Sequence, residues 1–415
     1  MLTQEGMYRP MLKLAIEAQL PLIAVTTRDT MNLGEVLREI TKRKPIPWQP
    51  NVPIGKNQLY TFVYLAKKVE LPLFQLYEKL VENESTLIVV NPPGVMEPMF
   101  DAGEVPVPRT LMMRFMTEVV EDKKKAEELL RGLGGCTIKE AAELARLTMA
   151  RDKSLTVQGL MYTRKSVFQG ANGLTQVDTK QSFYQPPPYL VSWVERETPF
   201  FLHGKDERLI PRGLLFDGLP GTGKTAASKW LAEQIGVPLF RLDIGGTKNK
   251  YVGQSEQNLM TNLSRVDHEE PCVVLLDEVE KVFATTTSDN SGTTSTMLSQ
   301  LLWWLAERRT RVLVIMTTNN AKLLPRELYR EGRVDEVMNF SGLEKGQAQK
   351  FVETLLKTFK GLTGWNYGHV DQIVEDAFAT SRLETNPPTV SQAALTKGTY
   401  SFVKTLTAKT FANAG

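Results

Sequence analysis

The chain has 415 residues, with 50 basic and 47 acidic side chains and a formal net charge of +3 at neutral pH. That length exceeds what one hydrophobic core usually supports, so two or more domains are expected. Near-balanced charge leaves no broad electrostatic footprint for nucleic acid, two cysteines cannot build a disulfide framework, and three dispersed histidines offer no zinc cluster.

No apolar run approaches the roughly 18 residues of a membrane span, and the amino terminus lacks the basic and apolar regions of a secretory signal. The expectation is a soluble, cytoplasmic chain without a membrane partner.

The first third reads as α/β. "LPLIAVTT" (20–27) and "STLIVVNPP" (85–93) are apolar runs of strand length. Between them, "MNLGEVLREITKR" and "QLYTFVYLAKKVELPLFQLYEKLV" carry apolar residues at helical spacing. Residues 110–151 predict helices broken at "GLGG" (132–135), with Thr137 and Glu140 spaced as a capping box. Residues 162–190 are polar, Gly-punctuated and end in three prolines, which predicts a linker.

Beyond the linker, four strand candidates follow in series: "GLLFDG" (213–218), "VPLFRLDI" (237–244), "CVVLLDE" (272–278) and "RVLVIMTTN" (311–319). Helical segments separate them, the pattern of a parallel sheet with crossover helices. From about residue 344 helical patterns dominate. The boundaries read as an α/β module over 1–155, a linker over 156–190, a second α/β module over 191–342 and a helical subdomain over 343–415.

"GLPGTGKT" (218–225) matches the phosphate-binding loop pattern between a strand and a helix. Gly218, Pro220, Gly221, Thr222 and Gly223 would shape a nest of backbone N–H groups around phosphates. Lys224 supplies a point charge and Thr225 a hydroxyl for Mg²⁺, while the helix N-terminus favours the anion. Asp277, closing a buried strand, can hold the same metal, and Glu278 can polarise an attacking water. Glu280 and Lys281 read as supporting or surface charges without a chemical role. Asn319, at the end of the next strand, could orient the water or contact the γ-phosphate. Arg330 and Arg333 flank a glycine on an exposed segment and could neutralise transition-state charge. If they cannot reach their own nucleotide they must serve a neighbour's, which implies an oligomer. Trp303 and Trp304 suggest one ring in the helix–sheet core and one at an interface.

"GLPGTGKT", "CVVLLDE", "TTNN" and "LYREGRVDE", in this order, resemble the AAA clade of AAA+ ATPases over about residues 190–360. More narrowly, "DEVEK", "TNN" and the two-module layout are similar to an AAA family first named from hypothetical chloroplast reading frames and widespread in cyanobacteria. The resemblance implies a parallel-sheet P-loop NTPase (AAA+) module with a small helical lid, preceded by a degenerate AAA-like α/β module without a phosphate loop. It also implies Mg²⁺-dependent ATP hydrolysis in a ring, usually a hexamer. Lys224, Thr225, Asp277, Glu278 and Asn319 would act in cis, and Arg330 and Arg333 in trans. Val334, Glu331 and Gln254 depart from the clade's usual residues, and "TVSQAAL" (389–395) holds no arginine where a second sensor could sit.

Tyr251 and Val252, in "KNKYVGQSE", fall where this clade places a first pore loop that grips an extended polypeptide. Residues 284–296 fall where a second pore loop would lie. The implied use of ATP is remodelling or threading a protein partner. Two alternatives stay open: a nucleic-acid-directed loader or translocase, with Lys248 and Lys250 near the backbone and Tyr251 stacking on bases, and an ATP-gated assembly scaffold.

Overall fold

A computed structural model describes residues 9–50, 52–64, 71–167, 173–180, 183–244, 254–283, 293–330, 332–360, 362–380 and 389–413. The chain forms two units, one of residues 1–166 with 268–270 and the other of 167–267 with 271–415.

In the first unit, strands β1 (Leu22–Thr26), β2 (Ile46–Pro47), β3 (Leu59–Val63), β4 (Thr86–Val90) and β5 (Phe100–Glu104) form a sheet of order β2-β3-β4-β1-β5. Every pairing in it is parallel. Helices α1 (Arg9–Glu17), α2 (Leu33–Thr41) and α3 (Leu73–Glu82) accompany the strands. Alternation along the strands feeds two cores. Ile23, Val25, Ile88 and Val90 meet α1 and α2, while Leu22, Tyr60, Leu87 and Val89 meet α3. Burial on both faces is why these strands read as continuous apolar runs.

Residues 58–81, expected as helix, divide differently. Leu59–Val63 is a strand, and among the described residues of this stretch the helix is Leu73–Glu82. "LYTFV" is rich in aromatic and β-branched residues, which suit a pleated surface better than a helix. Its Leu59 and Tyr60 go to opposite cores.

Helices α4 (Arg109–Val120), α5 (Lys123–Leu129), α6 (Ile138–Asp152) and α7 (Val157–Val167) follow, around a core that includes Met116, Leu129, Leu144 and Leu160. Thr137 caps α6 as its spacing predicts. Its hydroxyl accepts from the Glu140 N–H at 3.1 Å, and the Glu140 carboxylate accepts from the Thr137 N–H at 2.8 Å.

In the second unit, β6 (Leu174–Val177), β7 (Gly213–Asp217), β8 (Leu239–Leu242), β9 (Cys272–Leu276), β10 (Val312–Thr318) and β11 (Glu336–Asn339) form a sheet of order β11-β7-β10-β9-β8-β6. Only β6 is antiparallel, against β8. The segment expected as linker therefore carries α7, an edge strand and the first residues of α8. Leu174 is buried in the core, and pairing with β8 satisfies backbone groups that an edge would leave open.

Helices α8 (Pro188–His203) and α9 (Lys224–Ile235) cover one face of this sheet, and α10 (Gln254–His268) and α12 (Thr293–Glu307) the other, with the short α11 (Glu280–Phe283) after β9. Val273 and Leu275 point to the first face, Val274 and Leu276 to the second. Trp304 is buried and donates to Asp267 at 2.8 Å, whereas Trp303 is exposed. Helices α13 (Lys345–Lys357), α14 (Tyr367–Thr380) and α15 (Gln392–Asn413) form the helical subdomain around Phe351, Leu355, Val374 and Leu395.

Numbered within each unit, β1–β5 and β7–β11 have one strand order, 2-3-4-1-5, and within both fives every pairing is parallel.

The α6 cap gives a stability prediction. Thr137→Ala should lower unfolding stability by about 1 kcal/mol, read as a shifted urea midpoint at unchanged m-value, with nucleotide affinity unaltered.

Candidate functional site

In an open parallel sheet, ligands sit beyond the carboxyl ends of the strands where the order reverses. In the second unit, β7 lies between β11 and β10, and β10 between β7 and β9. The sheet order therefore sets the ends of β7, β10 and β9 side by side, and each is followed by a residue singled out from the sequence: Gly218, Asn319 and Asp277.

Beyond β7 the chain turns through Gly218–Gly223 into α9. Gly218 passes against Phe340, so closely that an added Cβ would lie 2.1 Å from the Phe340 carbonyl oxygen. Gly223 caps α9 at φ +97°, in the left-handed region that glycine adopts without a Cβ penalty. Thr222 is buried, its hydroxyl donating to the Leu219 carbonyl at 2.8 Å. Pro220 and Gly221 line the cavity described below.

Lys224 opens α9 and is buried, 7% exposed. Its ammonium donates to the carbonyls of Gly218 (2.5 Å) and Leu219 (3.0 Å) and to the Asn319 side-chain oxygen at 3.1 Å. Burial pulls its pKa below the ordinary lysine value, against the opposing field of Glu280, Asp217, Asp277 and Glu278.

Asp277 follows β9. Its Oδ1 accepts from Thr317 at 2.6 Å and from Thr225 at 3.3 Å. Arg241 approaches its other oxygen at 3.9 Å. The Thr225 hydroxyl and the Asp277 carboxylate are hard oxygen donors, side by side. They suit Mg²⁺, which characteristically takes one or two carboxylates and completes its shell with water and phosphate.

Glu278 sits at φ +53°, a conformation costing a non-glycine residue about 1–3 kcal/mol. A hydrogen bond from its N–H to the Thr317 hydroxyl at 2.9 Å holds it there. A hydrogen bond from Lys281 is the chief reason its carboxyl titrates below the usual range, assisted by the Asn319 amide and by Arg241.

Asn319 follows β10. Both its backbone N–H and its side-chain NH₂ donate to Glu280 Oε1, at 3.2 and 2.8 Å. Glu280, expected to be a supporting or surface charge, is thus an acceptor inside the site. Thr317 was also missed, because a threonine within an apolar strand gives no local sign that it faces Asp277.

Lys224, Thr225, Asp277, Glu278, Thr317 and Asn319 line one side of a cavity of about 930 Å³. The other walls come from Phe183 and Tyr184 ahead of α8 and from α15, which contributes Gln392, Lys397, Tyr400 and Lys404. The 389–395 segment holds no arginine, yet α15 still brings cations to the cavity. Lys397 and Lys404 are seven positions apart, a helical repeat visible in the sequence.

Arg330 and Arg333 are elsewhere. Neither lines the cavity. Arg330 is exposed, and the Arg333 guanidinium donates to the Glu327 carbonyl at 2.6 Å. Tyr251 and Val252 lie outside the described residues, as do Lys248, Lys250, Glu331 and 284–292 of the expected second pore loop.

The contact at Gly218 gives a paired prediction. Gly218→Ala should cost about 1–3 kcal/mol, because its Cβ meets backbone, and should weaken binding of a fluorescent ATP analogue. Gly346→Ala, with nothing within 4 Å of its Cβ, should leave affinity unchanged and stability unchanged or slightly higher.

Comparison with known proteins gives the same assignment. Residues 214–342 match the family "ATPase family associated with various cellular activities (AAA)". The AAA domain-containing protein ycf46 of Trieres chinensis is 30% identical over 224 residues, covering 52% of this chain and 45% of its own. That of Gracilaria tenuistipitata var. liui is 34% identical over 183 residues, 43% and 37% respectively. Peroxisomal ATPase pex6 of Schizosaccharomyces pombe is 33% identical over 161 residues, 37% of this chain and 17% of that one. The chain spans less than half the length of these curated relatives. No helix among the described residues is long and apolar enough to cross a membrane. Residues 214–342, which hold the phosphate loop and the strand ends of the site, thus match the AAA family, and the chain is similar to the ycf46 AAA domain-containing proteins.

Proposed function

We propose that the chain hydrolyses the β–γ bond of ATP with Mg²⁺ and uses the energy to remodel or thread a protein partner from within a ring, usually a hexamer. The observation that carries the ATPase reading is the meeting of Lys224, Thr225, Asp277, Glu278 and Asn319 at three adjacent strand ends, on a cavity large enough for a nucleotide.

In this reading Lys224 exchanges its carbonyl partners for phosphate oxygens. Thr225 and Asp277 hold Mg²⁺, which when bound neutralises phosphate charge. Glu278 accepts the proton of the attacking water. Arg330 and Arg333 serve a neighbouring subunit's nucleotide. Their position off the chain's own cavity supports that assignment. Threading by Tyr251 and Val252 rests on their place in the sequence, and a cytoplasmic location on composition.

The first unit is a degenerate AAA-like module in this proposal, with 1–155 before a connecting segment to 190, the ATPase subdomain to 342 and the lid to 415. The shared strand order supports it. So does the first unit's own version of the site. Asn91 follows β4 as Asn319 follows β10, but it exchanges hydrogen bonds with Thr27, at 2.8 and 2.9 Å. Where a phosphate loop would follow β1, Asp29 accepts from the Ile138 N–H at 2.8 Å, at the start of α6. Arg28 reaches the Gly135 carbonyl at 3.0 Å and Glu140. Side chains thus tie the strand end to the stretch that begins α6.

Two measurements test this. Titration with a fluorescent ATP analogue should saturate at a single nucleotide per chain, and Lys224→Ala should abolish most of that binding. Glu278→Gln should bind ATP at near wild-type affinity while turnover falls by about 10²-fold or more. Rapid hydrolysis by purified Glu278→Gln protein would remove Glu278 from the mechanism. Imaging that variant with Mg-ATP should show closed rings with polypeptide in the channel; nucleic acid there would favour a translocase, and small assemblies a scaffold.

A further inference from the structure

Asn319 is expected to act on the γ-phosphate or on the attacking water, and either role depends on which end of its amide faces the reaction. Two neighbours answer independently. Glu280 Oε1 receives both the Asn319 backbone N–H and its side-chain NH₂, and an amide oxygen in that place would face a carboxylate with no proton between them. On the other side the Lys224 ammonium, which can only donate, stands 3.1 Å from Oδ1. The orientation is therefore dictated twice.

Glu280 has few other ties. Its Oε2 is buried without a hydrogen-bond partner among the described residues. A carboxylate half-satisfied in this way costs stability, so its contribution is to be sought in the site. Among the carboxylates acting on Lys224, Glu280 exerts the largest field. The amide between them is polarised from both ends, which strengthens both hydrogen bonds.

We propose that Glu280 is a positioning residue that locks the Asn319 amide with its oxygen toward Lys224, so that Asn319 works as a hydrogen-bond acceptor for the Lys224 ammonium and not as a donor to the γ-phosphate. Asn319 then registers the phosphate through Lys224. When the ammonium turns from the Gly218 and Leu219 carbonyls to phosphate oxygens, its bond to Oδ1 fixes the direction of approach. This assignment rests on the ATPase reading above.

The test is steady-state ATP hydrolysis and nucleotide affinity for Glu280→Ala, Glu280→Gln, Asn319→Ala, Asn319→Asp and the double variant Asn319→Asp with Glu280→Gln, each checked for folding by circular dichroism. Glu280→Ala should lower kcat by about ten- to a hundredfold, the range seen when the partner of a site residue is removed, with little change in KM. Glu280→Gln, which keeps an acceptor oxygen, should recover much of that loss. Asn319→Asp alone should be slow, since two carboxylates then face each other. The double variant decides. It still presents an oxygen to Lys224 but has no side-chain N–H at 319, so recovery well above Asn319→Ala supports the acceptor role. A folded double variant as slow as Asn319→Ala, or a Glu280→Ala protein with wild-type kcat, would overturn the proposal. Wild-type protein that binds but does not hydrolyse ATP would instead overturn the ATPase reading.

Discussion

The bond network of the Lys224 ammonium is the constraint on which the second unit's site depends. A buried cation needs acceptors to replace the water it has lost. Three oxygens supply them, two from the turn after β7 and one from Asn319, 95 positions away in sequence. Only the placement of β10 beside β7 brings the last of these within reach. Desolvation lowers the pKa of the ammonium, and the surrounding carboxylates offset part of that. Two of its three acceptors are backbone oxygens, which more strongly charged phosphate oxygens can displace.

The two sheets show how one strand order can hold different chemistry at the same corner. In the second unit the turn after β7 is rich in glycine, and its Gly221 and Gly223 line the cavity. In the first unit the matching stretch carries Arg28 and Asp29, and both bond to the stretch that begins α6. A ligand could join sheet and helices there only by displacing an arginine, a buried carboxylate and a helix N-terminal N–H together. The second unit joins its sheet to α15 across a cavity instead.

Much of this was legible in the sequence, for identifiable reasons. The four strands 213–217, 239–242, 272–276 and 312–318 announce themselves because burial on both faces makes them continuous apolar runs. The phosphate loop is local, and its chemistry is carried by contiguous residues. "LYTFV" misled because apolar residues at helical spacing ran on from it, and aromatic content was the better guide. β6 was hidden in a polar stretch because an edge strand needs only half its residues buried. Glu280 and Thr317 were illegible because their roles are set by partners about 40 positions away, and no local pattern encodes that pairing.

Charge balance at the cavity bears on the proposed assembly. The lining holds three lysines, Lys224, Lys397 and Lys404, against two carboxylates, Asp277 and Glu278. Glu280 and Asp217 add further negative field at Lys224. A nucleoside triphosphate carries more negative charge than this small local excess can balance, and in the transition state that charge is redistributed over the transferring oxygens. A divalent ion between Thr225 and Asp277 offsets part of it. The remainder calls for cations outside the cavity's own lining. In the proposed ring, Arg330, exposed and away from that lining, would supply one from a neighbouring subunit, and Arg333 would join it by releasing the Glu327 carbonyl.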